Sequence, residues 1–387
     1  MSNEHKPEVV VVTGASAGLG RAIVQEFARH GAQIGLLARG RERLEETKRE
    51  VESLGGKALA LPTDVADYEQ VERAASTVEQ EFGPIDIWVN NAMVGVLSPV
   101  KEMQPEEYRR VTEVTYLGQV HGVLAALKRM LPRDRGKIVL IGSALAYRGI
   151  PLQSAYCGSK HAVEGFADSL FAELLHDKSK VSVTTIQMPA MNTPQFSWTK
   201  TRMPRKPQPV PPIYQPEVAA RAVYWAAHHK RRRMDVGMST AIVITGNKFA
   251  QWLGDWYLAR QGYDSQQYDG QVAPDRPNNL LAAVDSDQDY GAHGDFDERA
   301  HGDSLQARLS RHRNWLIGGA LAGATCDGLR HGIKKSWRGG TVGLGLGVLG
   351  TLLASTWSRL REREHSHKSF ESLSRNRVRQ SQVTRPG

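Results

Sequence analysis

At 387 residues, with 40% hydrophobic and 24% charged side chains, the chain is long enough to bury one large core or two smaller ones. Two cysteines, Cys157 and Cys326, exclude a disulfide framework and suit a reducing compartment. The formal net charge of +9 belongs to the tail: residues 301–387 hold 15 basic and 5 acidic side chains, whereas residues 1–300 hold 35 and 36.

The N-terminal "MSNEHKPE" runs straight into "VVVV" without a basic segment and a long apolar core, which predicts no secretory signal and a cytoplasmic location. Short runs rich in β-branched and aliphatic residues follow at 9–13, 33–38, 58–62, 85–90, 137–142 and 181–187. Helical patterns separate them. In the first, Ile23, Phe27 and Ala28 share one face and Gly31 stops the helix. Strands alternating with helices predict an α/β fold, a doubly wound parallel sheet covered on both faces.

Residues 188–216 break this rhythm with many prolines, and read as a long loop. A helix is expected at about 216–229, then the basic run "HHKRRR" and the apolar "STAIVI". The chain divides as 7–260 for the α/β unit, 261–310 for a polar linker or wrapping segment, 311–358 for a Gly-rich apolar region and 359–387 for a basic disordered tail.

"TGASAGLG", residues 13–20, lies between the first strand and the first helix. Gly14, Gly18 and Gly20 allow a tight turn and a close approach of backbone to pyrophosphate, and the helix N-terminus beyond favours anions. The second strand ends "LLARGR". A carboxylate there would suit the ribose 2′-OH of NAD; instead Arg39 can pair with a 2′-phosphate, which favours NADP over NAD. Arg39, Arg41 and Arg43 would also suit the solvated start of a helix.

"SAYCGSK" places Tyr156 and Lys160 one helical turn apart, 13 residues after Ser143. Taken with "TGASAGLG", "DV" at 64–65, "NNA" at 90–92 and "PAMNT" at 189–193, the set resembles the short-chain dehydrogenase/reductase family, over roughly residues 7–260. The resemblance implies a Rossmann fold and an oxidoreductase that moves a hydride between NADP(H) and a small-molecule carbonyl or alcohol. It makes Tyr156 the general acid/base, Lys160 the cation that acidifies it and holds the nicotinamide ribose, and Ser143 a hydrogen-bonding partner of the substrate oxygen. It also implies that Ser16 and Leu19 bind the cofactor, and that Asp64 and Val65 meet the adenine, Asn91 and Ala92 the adenosine ribose, and Pro189 and Thr193 the nicotinamide end. A homodimer or homotetramer is implied as well. No metal-ligand set stands near Cys157, which reads as a buried helix residue.

Two positions depart from the family pattern. Thr115, in "VTYLG", stands where an asparagine usually supports the proton relay, and Met93 replaces the usual glycine of "NNAG". These departures motivate an alternative, a non-catalytic NADP-binding sensor or scaffold, which the intact Ser143, Tyr156 and Lys160 argue against. Met188, Met191, Phe196, Trp198 and Tyr214 in the long loop suit an apolar substrate, or equally a loop pinned to the domain.

The basic tail contains no recognisable nucleic-acid reader. Within the C-terminal extension, the uncharged stretch 339–357 is about long enough to span a bilayer, with Gly339, Gly343 and Gly347 on a shared face. With the shorter stretch 315–326 it would form a hairpin or a shallow insertion on the cytoplasmic face of a membrane; packing on the dehydrogenase domain or a partner subunit is the other reading.

Overall fold

The computed structural model describes residues 6–273, 275–284 and 289–311. The two Gly-rich stretches, the basic tail and Cys326 lie outside them. Seven strands form one parallel sheet: β1 (Val9–Thr13), β2 (Gln33–Ala38), β3 (Lys57–Pro62), β4 (Ile87–Asn90), β5 (Lys137–Ser143), β6 (Ser182–Met188) and β7 (Arg233–Asp235). Their spatial order is β3-β2-β1-β4-β5-β6-β7. The order reverses at β1, and in such sheets a crevice opens there outside the carboxyl ends of the strands.

The first strand shows why the sheet is covered twice. Val10 and Val12 enter one apolar cluster with Ile23 and Phe27 of α1 (Gly18–Ala28) and Val218, Ala222 and Val223 of a later helix, Pro216–His228. Val9 and Val11 enter the other, with Val71, Ala75 and Val78 of helix Tyr68–Phe82 and Val163 and Ala167 of helix Ser154–His176. Successive side chains leave a strand on opposite sides, so an unbroken valine run is what a sheet buried on both faces requires.

The expected strands agree with the observed ones to within a residue or two. Residues 85–86 precede β4 rather than belonging to it, although Ile85 is fully buried. The helix at 216–228 is present, and α1 ends ahead of Gly31, which adopts φ +75°.

Three features differ from the sequence expectation. The last sheet strand, β7, sits at the end of the basic run, where charge hides its apolar centre Met234. "STAIVI" is part of a helix, Met238–Phe249, followed by a second, Gln251–Gln261. The stretch 188–216 is no plain loop. It holds a helical turn, Gln195–Trp198, and short strands whose partners are Val96–Leu97, Gln267–Gln271 and Ala300–His301. These partners are remote in the chain, so no local pattern announces the pairing. Among the described residues no helix is long and apolar enough to cross a membrane.

Candidate active site

The phosphate loop joins β1 to α1 at the switch point. Gly14 and Gly18 have φ +66° and +58°, conformations that side chains other than glycine rarely adopt. At Gly20 the constraint is space: a Cβ would collide with the Gly14 carbonyl oxygen and stand 2.7 Å from Asn91 Nδ2. Gly20→Ala is therefore expected to cost about 1–3 kcal/mol by overpacking and to abolish nucleotide binding. Chemical denaturation and NADPH titration read the two effects, and a variant unchanged in both would refute the close approach.

Asn91 and Ala92 are drawn onto this loop. The Thr13 hydroxyl accepts from their backbone N–H groups at 2.9 and 3.0 Å, and Asn91 Nδ2 donates to the Thr13 and Gly14 carbonyls at 3.0 and 3.2 Å. Their N–H groups are thus spent inside the protein. Thr13 stands in the quoted motif, but its positioning part is visible only once β1 and β4 are side by side. Thr193 packs against Gly18, its Cβ 3.2 Å from a Cβ built there, and Pro189 lies beside Gly237. Ser16 gives its carbonyl to Arg21 Nη1 at 3.3 Å, and Leu19 is buried.

Of the residues expected to meet the adenosine, Arg39 is half-buried and its Nη2 donates to the Asn279 carbonyl at 2.5 Å. Asp64 pairs with Arg110 at 2.5 Å and accepts from the Ala66 N–H at 3.0 Å. Val65 is buried, and its carbonyl meets His121 Nδ1 at 2.8 Å. The Asp64 carboxylate is therefore engaged by a cation that sequence spacing did not connect to it.

Ser143 ends β5, and Tyr156 lies in the first turn of the helix Ser154–His176. Strand end and helix start bring the two near enough for Ser143 to bear on the ionisation of the phenol. Ser143 Oγ accepts from the Leu145 N–H at 3.1 Å, which leaves its own proton to donate. Burial raises the Tyr156 phenol, Ser143 lowers it in part, and the net position is about 12. Lys160 Nζ stands 5.7 Å from the centroid of the Tyr156 ring and donates to the Ile141 carbonyl at 2.6 Å. Lys160 is 1% exposed. Burial drives its ammonium down to about 7, opposed by the Glu164 carboxylate one turn further along the helix.

Both groups are desolvated, and desolvation favours neutral phenol and neutral amine.

Thr115 falls within a π-helical turn, Glu113–Leu117. Its hydroxyl donates to the Val94 carbonyl at 2.9 Å and accepts from the Val94 N–H at 3.1 Å. That exchange commits the hydroxyl proton to backbone, so Thr115 fixes the segment after β4 and has no side-chain proton to pass on.

Sequence spacing gave no hint of several neighbours. Gln119, one turn beyond Thr115, donates to the same Ile141 carbonyl as Lys160, at 3.2 Å. Glu164 joins Tyr147 Oη at 2.6 Å and Gln187 Nε2 at 2.7 Å, and Arg233 reaches the same phenol at 3.2 Å. Glu164 could have been found from its i+4 relation to Lys160; the others depend on the sheet order. Among the described residues no cluster of His, Cys, Asp and Glu could hold a metal ion, and Cys157 is buried in the helix of Tyr156.

The family model for short chain dehydrogenases matches residues 8–203. The uncharacterized oxidoreductase YxnA of Bacillus subtilis is 33% identical over 284 residues, 73% of this chain and 79% of that protein. An alcohol dehydrogenase from the archaeon Thermococcus sibiricus, complexed with 5-hydroxy-NADP, is 26% identical with a TM-score of 0.52, covering 59% of this chain and 95% of that one. A short chain dehydrogenase from Mycobacterium paratuberculosis, bound to NAD, is 25% identical with a TM-score of 0.52, covering 60% and 97%. With the sheet order, the phosphate loop and the Ser143–Tyr156–Lys160 cluster already in place, the family match over half the chain establishes that this protein belongs to the short chain dehydrogenases.

Proposed function

We propose that the chain is an NADP-dependent oxidoreductase that interconverts a carbonyl and an alcohol, with Tyr156 as general acid/base. The observation that carries this reading is the gathering of Ser143, Tyr156 and Lys160 in a fold whose first strand leads into a glycine turn too tight for side chains. The donor set fits a nicotinamide dinucleotide: a glycine turn with positive φ at Gly14 and Gly18 ahead of the α1 N-terminus for pyrophosphate, a guanidinium at Arg39 for a 2′-phosphate, and an ammonium at Lys160 for ribose hydroxyls. The relatives that bind NADP and NAD support a nicotinamide cofactor of either kind. When bound, that cofactor supplies the hydride.

In this reading the protein's own residues handle the proton. Ser143 keeps its own proton for the substrate oxygen, and so sets that oxygen within reach of the phenol. Tyr156, held protonated by burial, is in the form that gives its proton to a carbonyl during reduction. Oxidation needs the phenolate, and protonated Lys160 is the cation that would favour it. Lys160 reaches neighbouring polar groups through the Ile141 carbonyl, which Gln119 shares.

A panel of aldehydes, ketones and alcohols with NADPH or NADP tests the activity. Absence of turnover with tight NADPH binding would favour the sensor or scaffold reading. Cofactor choice has its own test. Arg39→Ala should weaken NADPH binding by roughly ten- to a hundredfold, the worth of one charge-assisted contact, and leave NADH binding unchanged. Equal affinity of the unaltered protein for both cofactors would overturn the assignment of Arg39.

A further inference from the structure

The cradle that the proposed function assigns to NADP is lined on its outer side by the protein's own C-terminal portion. The Gly18 N–H, at the phosphate loop, donates to the Gly291 carbonyl at 2.9 Å. Arg39 Nη2, the 2′-phosphate cation of that reading, donates to the Asn279 carbonyl at 2.5 Å. Arg110, which holds Asp64, donates through Nε to the Leu280 carbonyl at 3.1 Å. The Leu280 side chain is 2% exposed and buried in the apolar cluster that contains Leu37, Val65 and Val94. Three places where a dinucleotide would put its pyrophosphate, 2′-phosphate and adenine are thus met by two backbone carbonyls and one leucine.

Further contacts hold the two pieces in place. Asn279 donates its N–H to the Trp198 carbonyl at 3.1 Å, and Arg276 Nη2 bonds to the Phe196 carbonyl at 2.6 Å. Asp289 pairs with Arg21 at 3.0 Å, and Tyr290 lies edge-on to Trp198 at 4.8 Å. The Gly294 and Phe296 N–H groups both donate to Asn192 Oδ1 at 3.1 Å, which anchors the chain beyond. An amide N–H has one proton, so the Gly18 N–H cannot serve Gly291 and a phosphate oxygen at full strength together. Phosphate contacts are charge-assisted and outmatch neutral carbonyls, so the cofactor can win the exchange.

We infer that residues 278–281 and 289–292 act as a built-in competitor for the dinucleotide, holding its place on Gly18, Arg39 and the apolar cluster of Val65 until NADP(H) displaces them. This rests on the NADP reading. Its consequence is a cofactor affinity reduced by the fraction of molecules in which the segments are seated.

Hydrogen exchange of the full chain, with and without NADPH, tests it. Binding should slow exchange at 13–20 and speed it at 278–281 and 289–292. Leu280→Ser removes the buried side chain, and Asp289→Ala removes one ion pair of Arg21, which keeps its other partner Glu50. The double variant should bind NADPH at least about fivefold more tightly, with a faster association rate. Protection of 13–20 with unchanged or slower exchange in the two segments would overturn the proposal and leave the NADP reading standing. No protection at 13–20 in either protein would overturn both. If the double variant fails to fold, the exchange pattern of the unaltered protein decides alone.

Discussion

Tyr156→Phe is expected to lower turnover by about 10²–10⁴-fold while leaving NADPH affinity essentially unchanged. The substitution removes only the phenolic oxygen. The ring still fills its half-buried site, and Lys160 keeps its 2.6 Å bond to the Ile141 carbonyl. What is lost is the proton that Ser143 orients toward the substrate oxygen. Tyr147 is the proper control, because it is the other phenol of the cluster. Its hydroxyl is tied to the Glu164 carboxylate at 2.6 Å, and burial and that carboxylate drive its ionisation far above the ordinary range. Tyr147→Phe should retain turnover. Steady-state rates on a substrate from the panel, with NADPH titrations on each variant, decide the matter. Near-normal rates in Tyr156→Phe, or a collapse in Tyr147→Phe alone, would assign the proton to the wrong tyrosine.

Lys160→Met should stabilise the cofactor-free protein at neutral and lower pH, by an amount on the order of 2–4 kcal/mol. Burial lowers the folded-state value of this lysine from 10.5 to about 7. Below pH 7 both folded and unfolded chains carry the proton, and the folded chain bears the full cost of a buried ammonium. Between about 7 and 10.5 the unfolded chain binds more protons than the folded one, so stability of the unaltered protein rises with pH. The advantage of the methionine variant must therefore shrink across that window and vanish above it. Melting temperatures of the two proteins from pH 6 to 10, without cofactor, measure the difference. A constant gap would mean that Lys160 titrates normally and that Glu164 compensates its burial. The same variant should lose turnover, since a thioether can neither hold ribose hydroxyls nor favour a phenolate. Gain of stability with loss of activity is the pattern of a site that carries strain for function.

Most of the sheet was legible because its signals are local. A valine run buried on both faces, a glycine turn after it and apolar residues at helical spacing each lie within a dozen residues. The same holds for Ser143, Tyr156 and Lys160: one ends a strand, and the other two are a single helical turn apart. β7 escaped because only three residues pair, at the end of a basic run. Residues 188–216 read as loop because their strand partners lie far along the chain, near residues 96, 267 and 300.

The sequence by itself determined the family, the doubly wound sheet and the identities of the groups that could carry the chemistry. Only the tertiary structure decided their states. It spent the N–H groups of Asn91 and Ala92 on Thr13, tied the Thr115 hydroxyl to Val94, and set Arg110 on Asp64. It also took Lys160 out of water and half-buried Tyr156, which shifts the phenol upward and the ammonium downward. The physical reason is that a residue's type fixes which bonds and charges it can have, whereas partners and burial, which depend on segments far apart in the chain, fix which of them it does have.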